Sequence, residues 1–223
     1  MKTTTSPALI IIFLFSALQL PAVLNSIRPP PCTAPTPAAR SFINESCYSA
    51  QNLDSNACYQ WLSSHVVETE QPRVNKLVKA AINLTMEEIT SSVIPKINTL
   101  YEKKGKALVN KDKSIARTCL EMMDDSRGGM KDTLDQMYNL KPNDLLFQIS
   151  NLQTWMSAAL TNVDTCLDDD ETPSVSDNDL RSLLMNSVGN VQKHTVIALS
   201  LINYFASKCY SDLAPAPAPA ATH

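Results

Sequence analysis

Two cysteines set symmetrically about a proline constrain this chain more than anything else in it. Cys119 lies 23 residues before Pro142 and Cys166 lies 24 after it. On the far side of the proline, Leu152, Met156, Ala159, Val163 and Cys166 recur at steps of three and four. On the near side, Ile115, Cys119, Met122, Met130, Leu134 and Met137 form a similar series. Such steps trace one face of an α-helix. Two antiparallel helices joined by a short loop bring together residues equally far from that loop. The spacing therefore predicts helices over about 112–139 and 144–168, locked by a Cys119–Cys166 bridge. The same arithmetic holds on a smaller scale. Cys47 and Cys58 lie five or six positions either side of the Asn52–Leu53 bond. This predicts a hairpin of short helices over about 39–50 and 55–66, with a Cys47–Cys58 bridge and Asp54 or Ser55 capping the second helix.

The remaining apolar series complete the architecture. Val74, Val78, Ala81, Thr85, Ile89 and Val93 predict a helix over about 72–103. Leu184, Val188, Val191, Thr195, Ala198, Ile202, Phe205 and Cys209 predict another over about 177–208. Strand signals are nearly absent, and the whole chain has only four glycines, too few for a protein built on tight hairpin turns. Four long amphipathic helices with short connections give an all-α fold, an antiparallel four-helix bundle. The short N-terminal helical hairpin packs outside it or on one end. Pro72, Pro142 and Pro173 read as punctuation and Pro95 as a kink. Gly128 and Gly129 sit in mid-helix, where each costs about 1 kcal/mol against alanine, and they predict a break or a bend.

The ends of the chain differ from its centre. Lys2 followed by the apolar run Ala8–Leu20 has the form of a secretory signal, assigned to residues 1–26. Residues 27–38 are proline-rich and extended, 39–210 form the helical domain, and 211–223 are an Ala/Pro-rich tail. Entry into an oxidising compartment is what makes six cysteines read as disulfides. Cys32 and Cys209 are left over, either as a third bridge or as free thiols. Asn44-Glu45-Ser46 and Asn83-Leu84-Thr85 are sequons for N-glycosylation. Loss of Lys2 from the 19 basic residues leaves 18 against 22 acidic ones. A mildly acidic secreted protein of this kind is a poor match for nucleic acid or an anionic membrane.

Catalytic signals are missing from the sequence. His65, His194 and His223 have no metal-ligand spacing, and no Gly-rich phosphate loop or Gly-x-Ser-x-Gly elbow occurs. The acidic run Asp168–Glu171 lacks the spacing of a calcium loop and reads as solvated. Neither a metal nor a cofactor is expected. Met122, Met123, Met130, Met137 and Met156 fit either an ordinary core or the flexible lining of an apolar-ligand carrier.

"CLEMMDDS" (Cys119–Ser126) and "TWMSAALTNVDTCLDD" (Thr154–Asp169), together with the Cys47 and Cys58 pair, resemble the signatures of the plant invertase/pectin methylesterase inhibitor family. The resemblance covers about residues 38–210. It implies a protein secreted to the cell wall that is not an enzyme. Such a protein binds a carbohydrate-active enzyme one to one, as a monomer, and covers the active-site cleft. One branch of the family blocks pectin methylesterase and the other blocks invertase. The resemblance places enzyme contacts on Glu121 and Asp125, in the helix after the third cysteine, and on Thr161 and Thr165, on the polar side of the next helix. Met123 stands where the family usually has tyrosine, and Gly128 where many members carry another acidic residue. The Pro-Lys-Phe tripeptide of the invertase branch does not occur; Pro95-Lys96-Ile97 is the nearest stretch and lies in a different helix. The pectin methylesterase branch is the one expected.

Overall fold

The computed structural model describes residues 39–50, 54–65, 73–167 and 172–213. The proposed signal and proline-rich segments, Cys32, the acidic run 168–171 and the C-terminal tail lie outside the described residues. Within them every regular element is helical. Helix α1 (Ala39–Ser49) and α2 (Ser55–His65) form the hairpin; α3 (Val74–Glu88) continues through a π-helical turn, Ile89–Val93, into α4 (Ile94–Lys104). Then come α5 (Asn110–Tyr138), α6 (Leu145–Cys166), α7 (Asn178–Leu183), a second π-helical turn, Leu184–Val188, and α8 (Gly189–Leu213). The last helix runs three residues past the expected domain end at 210.

Helix α5 packs on α6, α6 on α8, α8 on α3 and α3 on α5, which closes a four-membered ring around one core. The seams expected for α3, α6 and α8 are buried at every position named above. In α5 the buried residue is Met123, with Met122 only half-buried. The series 119, 123, 126, 130 keeps steps of four and three, whereas 122 falls to the flank. Met123, Met130, Met137 and Met156 all lie in the core cluster.

Both expected bridges are formed. Cys47 and Cys58 are 5.8 Å apart at Cα and tie α1 to α2; Cys119 and Cys166 are 4.6 Å apart and tie α5 to α6. Cys209 is buried and disulfide-bonded, so it is not a free thiol. Asp54 is the cap of α2, accepting the backbone N–H groups of Asn56 and Ala57 at 3.0 and 3.1 Å. The hairpin meets the bundle through α1, which packs on α8, and through Trp61 of α2: its ring stacks on His194 of α8 at 4.0 Å, and His194 Nδ1 lies 2.6 Å from the Glu88 carboxylate.

The break expected at the paired glycines is absent. Helix α5 passes Gly128 and Gly129 without interruption. A Cβ on Gly129 would come within 3.1 Å of the Trp155 carbonyl oxygen of α6, so the missing side chain admits a close helix crossing. At Pro95 the helical backbone runs on from the π-helical turn into α4. The preceding π-helical turn opens the ladder, with the Ile94 N–H reaching back to the Ile89 carbonyl. An i→i+5 turn of this kind removes the crowding that a proline ring creates in an ordinary helix.

A polar junction closes the end of the bundle where α4, α5 and α7 meet. Asp112 is buried and accepts the backbone N–H groups of Ser176 (3.1 Å) and Asp177 (2.9 Å). Asp177 in turn caps α7 through the N–H groups of Asp179 and Leu180, and receives the Lys104 ammonium at 3.0 Å. Sequence periodicity did not point to Asp112, because a lone acidic residue in a first helical turn ordinarily reads as solvated and favourable to the helix dipole.

Candidate interaction face

Helices α5 and α6 are held in one fixed register. The Cys119–Cys166 bridge and the Ser126 Oγ hydrogen bond to the Ala159 carbonyl (3.0 Å) are both centred between Pro142 and Asn143. A bridge and a buried hydroxyl two turns apart allow neither sliding nor splaying. On this register Glu121 stands level with Thr165 to within about a residue, and Asp125 level with Thr161. The structure thus brings the four expected contact residues together on one rigid helix pair.

All four side chains are exposed. Glu121, Asp125, Gly128 and Asp132 follow one another at steps of four, three and four, making a ridge on the solvent side of α5. Among the described residues neither Glu121 nor Asp125 has an ion-pair partner. Neighbouring Asp124 is engaged by Arg127, and Asp135 by Lys131 at 2.7 Å. Two carboxylates are therefore available to a basic partner without breaking an internal pair. Gly128 leaves a notch in the ridge, for nothing stands within 4 Å of where its Cβ would be.

The threonines are less free than they look. Thr161 Oγ1 donates to the Ser157 carbonyl at 3.1 Å, and Thr165 Oγ1 donates to the Thr161 carbonyl at 2.8 Å. Their protons are committed to the helix backbone, so they offer a partner an acceptor oxygen and a methyl group. The face as a whole accepts hydrogen bonds and carries negative charge, which suits a surface rich in Lys, Arg or N–H groups.

No group of three or more His, Cys, Asp or Glu side chains among the described residues is arranged to hold a metal, and no described helix is long and apolar enough to cross a membrane. These observations describe a disulfide-locked helical bundle with a rigid, polar α5–α6 face. Residues 41–201 match the profile of the family described as plant invertase/pectin methylesterase inhibitor, and the chain belongs to that family. Membership makes it an enzyme inhibitor rather than an enzyme. It is 32% identical to the "21 kDa protein" of Daucus carota over 76% of this chain and 86% of that one. It is 29% identical to "Pectinesterase inhibitor 3" of Arabidopsis thaliana over 74% of this chain and 79% of that one. The fold is similar to the crystal structure of a mutant form of a pectin methylesterase inhibitor from Arabidopsis, with a TM-score of 0.54 at 18% identity over 75% of this chain and 97% of that one.

Proposed function

We propose that this protein is a secreted inhibitor of pectin methylesterase. It acts in the cell wall, binding the enzyme one to one through the α5–α6 face and covering its active-site cleft, which limits removal of methyl esters from pectin. The observation that carries this reading is the pair of exposed, unpaired carboxylates, Glu121 and Asp125, beside the acceptor row of Thr161 and Thr165, all on a helix pair fixed by Cys119–Cys166. Fixing the face before contact lowers the ordering cost of association. The acidic ridge speeds and orients the encounter. The lack of a Pro-Lys-Phe tripeptide and the names of curated relatives such as "Pectinesterase inhibitor 3" favour this branch over invertase.

Titration of the purified protein against pectin methylesterase and against invertase at mildly acidic pH tests the proposal. Loss of methylesterase activity with an equimolar end point, and untouched invertase, is the expected result. Loss of invertase activity alone would move the protein to the other branch, and no effect on either enzyme would overturn the reading.

A further inference from the structure

We infer that the groove between α4 and α7 is a second binding site, and that it takes a linear chain of hexuronic acids with free carboxylates, the de-esterified form of pectin. The choice of ligand rests on the proposed function, whereas the site rests on its own geometry. The groove has a volume of about 470 Å³ and ends at the first π-helical turn. Its α4 wall is made by Pro95, Lys96, Thr99, Leu100, Lys103 and Lys104. These are neighbouring pairs repeated at steps of four, which is one stripe along a helix. Asp179 and Leu183 of α7 stand opposite.

Three ammonium groups share the stripe, and one of them is already engaged. Lys104 lies 3.0 Å from the Asp177 carboxylate and 2.5 Å from that of Asp179. Lys96 and Lys103 are exposed, and among the described residues neither meets a carboxylate. The Lys96 ammonium has the Ser187 hydroxyl at 3.4 Å, a long contact. Seven residues apart, the two lysines stand about 10 Å from each other along α4 on nearly the same bearing. A compact anion would engage one of them. A chain with a carboxylate on every ring engages both at once, and linked contacts raise affinity even where each exposed charge pair is weak. The rest of the lining suits a sugar. Thr90 and Ser91 donate their hydroxyls to the Met86 and Glu87 carbonyls at 2.8 and 2.6 Å. Ser92 and Thr99, which line the groove, have no side-chain hydrogen-bond partner among the described residues. Each can donate and accept, as ring hydroxyls require. Pro95, Leu100 and Leu183 supply the apolar bed on which the C–H face of a sugar ring packs, the usual complement to a few placed polar groups.

The groove lies across the bundle from the α5–α6 face. Helix α3 runs on into α4, and α7 into α8, so the groove belongs to the α3–α8 side of the ring, and α5–α6 is the opposite side. Enzyme and polysaccharide therefore meet different sides of one molecule. The net negative charge of the chain does not oppose this. Salt screens exposed charges beyond about 8 Å at physiological ionic strength, so the nearby ammonium pair decides. A carboxyl group of ordinary pKa, about 3.5–4, is charged at mildly acidic pH, and methyl esterification removes that charge. The groove thus distinguishes the product of pectin methylesterase from its substrate, and it places the inhibitor on polymer that the enzyme has already acted upon.

Titration calorimetry of the purified full chain provides the test, with a short oligogalacturonate, its fully methyl-esterified form and a polyglutamate of matched charge as probes. The free-acid oligosaccharide should bind roughly tenfold or more tightly than either of the others, and added salt should weaken it. Lys96→Gln combined with Lys103→Gln should lower that affinity about tenfold or more, with the urea midpoint and the inhibition of pectin methylesterase unchanged. The same loss of charge at Lys141 and Lys208, both exposed and remote from the groove, should leave oligosaccharide binding as it was. No binding, or equal binding by the Lys96/Lys103 variant, overturns the inference. Polyglutamate bound as tightly as the oligosaccharide overturns the assignment of a sugar ligand. Weaker inhibition by the Lys96/Lys103 variant would overturn the separation of the two sides. Oligosaccharide binding that depends on Lys96 and Lys103, in a protein that inhibits neither enzyme, would leave this site standing and remove the proposed function.

Discussion

Gly129 lies directly against the Trp155 backbone where α5 and α6 pack: a methyl group on the glycine would stand 3.1 Å from the Trp155 carbonyl oxygen. The obstacle is backbone, held in a helix that is itself bridged to α5 by Cys119–Cys166, so it cannot swing aside. Gly129→Ala should cost about 1–3 kcal/mol, the range for overpacking a close contact. The neighbouring Gly128→Ala, which meets open space, should instead gain up to about 1 kcal/mol from helix propensity. Urea denaturation of the two variants side by side checks both signs. Equal effects would mean that the crossing is looser than described.

Replacing Cys119 and Cys166 together by serine removes a loop closure of 47 residues. Loop entropy puts the cost at about 4 kcal/mol, more than the smaller Cys47–Cys58 ring can contribute. Because Ser126–Ala159 still pins the register, the double variant should remain helical by circular dichroism while its urea midpoint drops.

Charge reversal at Glu121 and Asp125, both to lysine, should weaken inhibition of pectin methylesterase at least tenfold, or about 1.4 kcal/mol, with the helical signal and urea midpoint unchanged. The association rate should fall more than the dissociation rate rises, and high salt should narrow the gap to the unaltered protein. Unchanged potency would place the contact elsewhere on the bundle.

The Asp177 carboxyl is held below its ordinary value of 3.8, first by the Leu180 N–H and then by the Lys104 ammonium. A carboxylate with a lowered folded-state pKa contributes stability that is fully present above its unfolded value and is lost as pH falls through the folded one. The junction of α4, α5 and α7 should therefore loosen below about pH 4. Asp177→Asn keeps a good cap residue but removes the charge. It should lower the thermal midpoint at neutral pH and flatten its decline in acid. Lys104, raised by Asp179 and then Asp177, acts in the opposite direction, losing its contribution only in strong alkali.

Trp61 and His194 share a stacked contact between hairpin and bundle. Trp61→Ala should speed amide exchange across α1 and α2 while leaving α5 and α6 protected, since aromatic pairs of this kind are worth about 0.5–1.5 kcal/mol beyond their buried area. Uniform loss of protection would mean that hairpin and bundle unfold as one unit.

Much of this was legible in the residues, for reasons that can be stated. The bridges followed from equal distances to Pro142 and to the Asn52–Leu53 bond, since antiparallel geometry converts sequence distance into height. The seams followed from periodicity. Met122 and Met123 each keep a step of three or four from Cys119, and periodicity cannot choose between adjacent residues on the edge of a stripe. The glycines suggested a break because propensity is a local quantity, whereas the Trp155 carbonyl that makes Gly129 necessary lies in another helix. Asp112 was invisible, as its partners are backbone N–H groups more than sixty residues away. The steps 81, 85, 89, 93, all of four, did carry a trace of the first π-helical turn. An ordinary helix drifts about 40° with every step of four, and only an added residue brings such a series back into line.

That surplus residue has an evolutionary reading. At Leu184–Val188 the turn contains no proline, so a version of the chain one residue shorter would reach the same inward stripe through an ordinary coil. At Ile89–Val93, shortening would press the Pro95 ring against the carbonyl one turn earlier, at about 3 kcal/mol. These two swellings touch, yet only one is free to be lost. Loss of one residue is therefore cheaper at the second place than at the first.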